Sequence, residues 1–212
     1  MRNPIATVFV IDDDAAIRKS LARLLQSAHF DVRSFASPWE FLEQHNPATP
    51  GCILLDVSMP ELNGLDLQQS LAKQGCDRPI IFLTGHGDIP MSVQAMKAGA
   101  SDFLTKPVED HLLLAAIQVA VEKDRQSRAA RAEVQAIESR LATLTPRERE
   151  VLEQVVSGKL NKQIASDLGT VEKTIKVHRG RVMEKMEVNS LADLVRVAAL
   201  AGVSPGRPPS PR

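Results

Sequence analysis

Tyrosine is absent from this 212-residue chain and tryptophan occurs once, so no phenolic hydroxyl is available to any site. Long apolar runs are missing too. None approaches the roughly 18 residues of a membrane span, and residues 1–7 are too short for a signal peptide. The expected setting is the cytoplasm, with no membrane partner. Only two cysteines are present, Cys52 and Cys76, without metal-ligand spacing or a secretion signal, and both are expected to be reduced thiols. His29, His45, His86, His111 and His178 show no ligand spacing either. A metal site in this chain must therefore be built from acids.

Net charge is zero, but the two ends differ. Residues 1–120 carry 9 Lys and Arg against 14 Asp and Glu, whereas residues 142–212 carry 12 against 8. An acidic first part suits a metal and phosphoryl pocket, and a basic last part suits a polyanion such as nucleic acid. The length and the 43% apolar content allow two domains with ordinary cores.

Short apolar runs in the first part each stop at a polar residue of defined chemistry. Residues 8–11 end at Asp12, Asp13 and Asp14, residues 52–55 end at Asp56, residues 80–83 end at Thr84, and Lys106 closes a fourth segment before Pro107. Such runs, alternating with helical stretches, predict a doubly wound parallel sheet buried on both faces, whose ligand crevice lies at the carboxyl ends of its strands. The polar residues should converge there. Converged carboxylates repel unless a cation sits among them, and Mg²⁺ held by one or two carboxylates fits this set. Asp12 and Asp13 are the expected metal carboxylates, and Asp56, alone on its strand end, is the expected nucleophile toward phosphorus. Lys106 offers a positive charge and Thr84 a hydroxyl to a phosphoryl oxygen.

The stretches V-F-V-I-D-D-D, L-L-D-V-S-M-P, L-T-G-H-G-D-I-P-M-S-V-Q-A-M-K-A-G-A and F-L-T-K-P resemble a response-regulator receiver domain, most closely the FixJ-type subgroup. The resemblance implies that Asp56 is the phospho-acceptor, that Asp12 and Asp13 hold the metal, and that Ser58 adds a backbone carbonyl ligand. It makes Thr84 and Phe103 the switch pair. Phe103 lacks the hydroxyl of the Tyr often found there, so its switch must act by ring packing. His86 occupies a position that influences dephosphorylation in this family.

The first domain is predicted to hold strands near 7–11, 31–35, 52–55, 80–83 and 101–104, alternating with helices near 15–28, 37–45, 64–73, 89–98 and 108–122. Ser37, Pro38 and Glu40 mark one helix start with a cap, a first-turn proline and a capping-box acid. Residues 122–140 are charged, Ala-rich and free of Pro and Gly, which predicts a helical linker. Within it Ala130, Val134, Ile137, Leu141 and Leu144 follow at heptad steps. That seam suits either a short coiled coil or a single helix packing on its own domain.

Thr145, Pro146 and Glu148 repeat the capping-box pattern and open a helix with Val151, Leu152, Val155 and Val156 inward, ending near Gly158. Asn161 is read as the cap of the next helix, which Gly169 ends. A turn leads to a helix over about 172–186, giving a helix-turn-helix, and a last helix is expected over about 191–200. Setting Ile175, Val182 and Met186 inward turns Lys173, Lys176, Val177, Gly180 and Arg181 outward, with His178 and Arg179 at the edges. A cationic face with a small residue and a lone Val suits a DNA major groove.

The segment L-T-P-R-E-R-E-V-L…N-K-Q-I-A-S-D-L-G…K-T-I-K-V-H-R is similar to the LuxR-type helix-turn-helix. That resemblance implies base reading by Lys176 and Val177, with Lys162, Lys173, Thr174 and His178 near the backbone. Val171 stands where the family commonly has a capping Ser, a loss of about 1 kcal/mol unless replaced. Together the two resemblances span residues 5–202.

These readings combine into a receiver at 1–122, a helical linker at 123–141, an all-α DNA-binding domain at 142–203 and a disordered tail at 204–212. The expected protein is a cytoplasmic transcriptional response regulator, not an enzyme, that receives phosphate from a sensor histidine kinase. It pairs as a homodimer when phosphorylated and binds double-stranded promoter DNA, with RNA polymerase a candidate partner. A competing reading takes Asp12 and Asp14 as the D-x-D of an aspartate-nucleophile phosphatase, with Asp12 the nucleophile. A third is a DNA-binding protein regulated without phosphorylation.

Overall fold

The computed structural model describes residues 6–60, 62–85 and 89–203. His86 and the tail at 204–212 lie outside them. The chain divides into two compact units, Met1–Arg128 and Ala129–Arg212.

In the first unit β1 (Thr7–Ile11), β2 (Asp31–Phe35), β3 (Gly51–Asp56), β4 (Ile80–Thr84) and β5 (Asp102–Thr105) form a parallel sheet in the order β2-β1-β3-β4-β5. Every residue of β1, β3 and β4 is buried, as a central strand covered on both faces requires. Alternation then sends neighbouring side chains to opposite layers. Phe9, Ile11, Ile53, Leu55 and Phe82 pack with Phe41, Leu67, Leu71 and Ala95 of α2 (Pro38–Gln44), α3 (Gly64–Lys73) and α4 (Ile89–Lys97). Val8, Val10, Cys52, Leu54 and Ile81 pack with Leu21 and Leu25 of α1 (Ala15–Ser27) and with Leu113 and Ile117 of α5 (Asp110–Ala142). Fully burying each such aliphatic or Phe side chain contributes about 1.5–3 kcal/mol.

Ser37 caps α2 as expected, its Oγ accepting from Glu40 N–H at 3.2 Å, but Glu40 Oε2 accepts from Ala36 N–H at 2.7 Å, one residue before the cap, so the expected capping box is not closed. α5 runs through both the expected last receiver helix and the expected helical linker. It is one 33-residue helix, because neither Pro nor Gly interrupts its ladder. Its middle is tied to the first unit by the buried Asp124, whose Oδ2 accepts from Gly51 N–H at 2.9 Å and from Arg128 Nε at 2.7 Å. Farther along, Ile137 and Leu141 enter the core of the second unit and Leu144 packs against it, while Ala130 is exposed. The C-terminal part of the heptad seam is thus a helix packing on its own unit, not a coiled-coil surface.

The second unit adds α6 (Pro146–Val156), α7 (Asn161–Asp167), α8 (Glu172–Lys185) and α9 (Leu191–Leu200) around Val151, Leu152, Val155, Ile164, Ile175, Val182, Met186, Leu194 and Val197. Gly158 and Gly169 follow α6 and α7 with φ of +82° and +62°, a region that favours glycine. Asn161 is not the cap of α7. That place belongs to Leu160, whose N–H donates to Gln163 Oε1 at 2.8 Å. Asn161 instead accepts from Arg179 Nη1 at 2.7 Å, so its carbonyl is engaged with α8. Val171 begins α8 without a side-chain cap, as its apolar side chain requires, and Thr170 supplies none.

The capping box of α6 also carries a tertiary bond. Glu148, 2% exposed, accepts from Lys185 Nζ at 2.6 Å and from Thr145 N–H at 2.9 Å. The Lys185 hydrogen bond, then the Thr145 N–H, hold its pKa down to about 2 from an ordinary 4.5. A carboxyl with a depressed folded pKa adds stability above its unfolded pKa and loses it as pH falls toward its folded one. Glu148→Gln is expected to lower unfolding free energy at pH 7 by about 1–2 kcal/mol. The deficit should shrink as pH falls from about 4.5 toward 2, measured by denaturant titration of the second unit's transition.

Candidate functional site

The register of the sheet brings the strand ends together. Ile11 pairs with Leu55, Asp56 with Leu83 and Thr84 with Thr105, so Asp12, Asp56, Thr84 and Lys106 share the carboxyl edge. Lys106 N–H donates to Thr84 O at 2.7 Å, which seats the lysine beside β4. Its Nζ lies 2.6 Å from Asp12 Oδ2 and 3.2 Å from Asp56 Oδ1. Asp12, Asp13 and Asp56 each offer a carboxylate oxygen within 4.8 Å of the others. Asp12 and Asp56 are buried while Asp13 is exposed, so the cluster opens on one side.

Two further ties hold the Asp12 loop. Its Oδ1 accepts from Asp14 N–H at 2.9 Å, and its backbone carbonyl accepts from Arg18 Nη1 at 2.6 Å. Asp14 itself caps α1, accepting from Ala16 N–H at 2.7 Å and Ile17 N–H at 3.3 Å. Asp14 is thus engaged with the start of α1, whereas Asp12 faces Lys106.

Burial pushes the Asp56 carboxyl above its usual range; Lys106 opposes this and Asp12 adds to it. Burial pulls the Lys106 ammonium down, but its hydrogen bond to Asp12 and the charges of Asp12 and Asp56 outweigh that, and its pKa rises. Asp12, Asp13 and Asp56 present carboxyl oxygens together at an open edge. That donor set of hard oxygens fits a divalent cation such as Mg²⁺. Ser58 is exposed two residues after Asp56. Thr84 is fully buried, and the half-buried Phe103 ring stands 6.0 Å from that of Phe82 at 40°.

In the second unit α8 turns Lys173, Lys176, Val177, Gly180 and Arg181 outward, with Val177 49% exposed. Lys162, at the start of α7, is exposed as well. Thr174 and His178 are half-buried, at the borders of that face. The expected cationic face is therefore present as a solvent-facing surface.

The family described as response regulator receiver domain matches residues 8–118, and the family described as bacterial regulatory proteins, luxR family, matches residues 142–198. The Transcriptional regulatory protein FixJ of Azorhizobium caulinodans is 46% identical over 208 residues, covering 96% of this chain and 97% of the relative. The chain is a FixJ-type response regulator. Nodulation protein W of Bradyrhizobium diazoefficiens is 48% identical over 199 residues, 94% of this chain and 88% of that protein. The solved structure of the response regulator StyR matches with a TM-score of 0.85 at 45% identity, covering 92% of this chain and 98% of that one.

A response regulator with these two domains takes its signal from a histidine kinase and binds DNA, and its relatives are transcriptional regulators. Among the described residues no helix is long and apolar enough to cross a membrane.

Gly64 is a site residue that sequence reasoning passed over in this response regulator. Its N–H donates to Val57 O at 3.1 Å, and a Cβ there would stand 2.5 Å from the carbonyl oxygen of Asp56 and 3.0 Å from the Phe82 ring. Only a residue without Cβ lets α3 start this close to the Asp56 backbone. The available signal was the Gly itself, a poor helix former directly after the Asn63 cap.

Proposed function

We propose that Asp56 is the phospho-acceptor of this regulator and that the receiver at 1–122 controls DNA binding by the domain at 142–203 through the linker at 123–141. A carboxylate oxygen of Asp56 attacks the phosphorus of a kinase phosphohistidine, the P–N bond breaks, and an aspartyl phosphate forms. The observation that carries this reading is the Lys106 ammonium set between Asp12 and Asp56, with Asp13 in reach. Asp12, Asp13, Asp56 and the Ser58 carbonyl would hold Mg²⁺, which supplies charge neutralisation for the phosphoryl oxygens. Lys106 shares in that neutralisation, and the Thr84 hydroxyl donates to the same group. Phe103, already beside Phe82, follows Thr84 by ring packing.

The added charge of about −1.5 to −2 biases the surface formed by residues 88–98 and 102–104. Ile89 there is 79% exposed, Lys97 is exposed, and Met91 and Asp102 are half-buried, which suits pairing of two receivers. Asp88 lies outside the described residues. Lys176 and Val177 read base edges, while Lys162, Lys173, Thr174, His178 and Arg181 contact the backbone of promoter DNA. The protein acts in the cytoplasm as a regulator and turns over no separate substrate, with RNA polymerase a partner at the promoter.

Asp56→Asn is expected to abolish acyl-phosphate formation from a small phosphodonor with Mg²⁺ while leaving the fold intact. Undiminished base-labile labelling of the variant would remove Asp56 from the role. On DNA, Lys176→Ala should weaken binding and relax base preference, whereas Lys162→Ala should weaken all sequences alike and reduce the salt slope by roughly 1. No change from either would mean that α8 is not the reading helix. Beryllofluoride, standing in for the phosphoryl group, should shift sedimentation from monomer to dimer, giving two half-sites about 34 Å apart. A persistent monomer that still gains DNA affinity would favour relief of a receiver that covers the DNA-binding domain.

A further inference from the structure

Apolar packing holds α8 in the second unit through Ile175, Val182 and Met186. Its C-terminal end is also fastened by Lys185, which donates to Glu148 Oε2 at 2.6 Å and to Thr143 O at 3.0 Å. The N-terminal half, which carries Lys173, Lys176 and Val177, has no such fastening at its start, because Val171 offers no side-chain cap. The polar tie next to it is Arg179, whose Nη1 donates to Asn161 Oδ1 on α7 at 2.7 Å. Asn161 is followed at once by Lys162.

Packing and directional bonds do different work here. Apolar contact seats a helix on its core but is non-directional, so a directional bond adds a constraint on rotation and sliding beyond packing. A guanidinium-to-amide bond is directional and charge-assisted, and both partners are half-buried, which limits competition from water. An error of a few degrees in α8 would move the ends of Lys176 and Val177 off a base edge. A phosphate contact made by a flexible lysine tolerates the same error.

We propose that the Arg179–Asn161 pair is a specificity-setting device: it fixes the rotation and register of α8 against α7 so that Lys176 and Val177 meet their bases. Arg179 is a positioning residue and not a phosphate contact. The proposal rests on the base-reading assignment of Lys176 and Val177.

The test uses the full chain with a duplex recovered by selection from random-sequence DNA and a duplex of unrelated sequence, each titrated across a range of salt. Arg179→Ala and Asn161→Ala should each weaken the selected duplex roughly tenfold. Binding to the unrelated duplex and the salt slope should stay as in the parent, which also reports an intact fold. The double variant should lose no more than either single one, the mark of one shared interaction. Arg179→Lys keeps the charge but not the planar fork, so it should be as impaired on the selected duplex as Arg179→Ala.

Equal weakening of both duplexes by Arg179→Ala, with the salt slope reduced by roughly 1 and rescue by Arg179→Lys, would overturn the proposal in favour of a phosphate contact. A silent Asn161→Ala would overturn it as well. Lys176→Ala, measured beside them, separates the two levels of the reading. If it is silent while both pair variants lose selectivity, the base assignment fails and the pair's role stands.

Discussion

The Lys106 ammonium, 2.6 Å from Asp12 and 3.2 Å from Asp56, is the interaction on which the receiver site depends. Burial pushes the Asp56 carboxyl up; Lys106, set between the two buried carboxylates, opposes this, and its own pKa rises in return. The sheet order makes this arrangement obligatory. With β1 beside β3, β3 beside β4 and β4 beside β5, every strand end that matters opens on one edge, and Lys106 reaches across from the last strand to the first. Arg18 and Gly64 serve the same edge from behind, one gripping the Asp12 carbonyl and the other letting α3 close over the backbone of Asp56.

The second unit is arranged on another principle. Its proposed working surface is a helix face, so the polar ties that bear on the placement of that helix matter most. Lys185 and Arg179 are basic residues of α8 directed to Glu148 and Asn161, which removes them from the pool of cations available to a polyanion. The modest positive excess of the last part of the chain therefore overstates its free basic surface. Lys162, Lys173, Lys176 and Arg181 remain exposed, and even Lys176 has Glu172 within 3.9 Å.

Much of this was legible in the sequence because two periodicities and a few terminators carry it. The five strands and the helices between them fall within a residue or two of the positions expected from apolar runs, and the Ser37 and Thr145 caps stand where the patterns put them. What escaped depends on partners distant along the chain. The seam containing Ile137 and Leu141 has the same spacing whether it faces a second chain or its own unit, and only the surrounding core decides. Asn161 has a capping residue's chemistry, yet Arg179, eighteen positions later, claims its carbonyl. Gly64 carried no chemistry of its own, so a reading that follows functional groups could not find a residue whose contribution is the absence of one.

The asymmetry of the two Lys106 contacts bears on how the site can act as a switch. The shorter contact is to Asp12, which the proposed mechanism leaves unmodified, and the longer is to Asp56, where the phosphoryl group would be added. New negative charge on the Asp56 side raises the attraction on the longer contact without altering Asp12. Lys106 is joined through its own N–H to Thr84 O, at the end of β4, and Thr84 is buried next to β5. Lys106 thereby joins the Asp12 and Asp56 edge to the ends of β4 and β5, the strands that lead into α4 and α5.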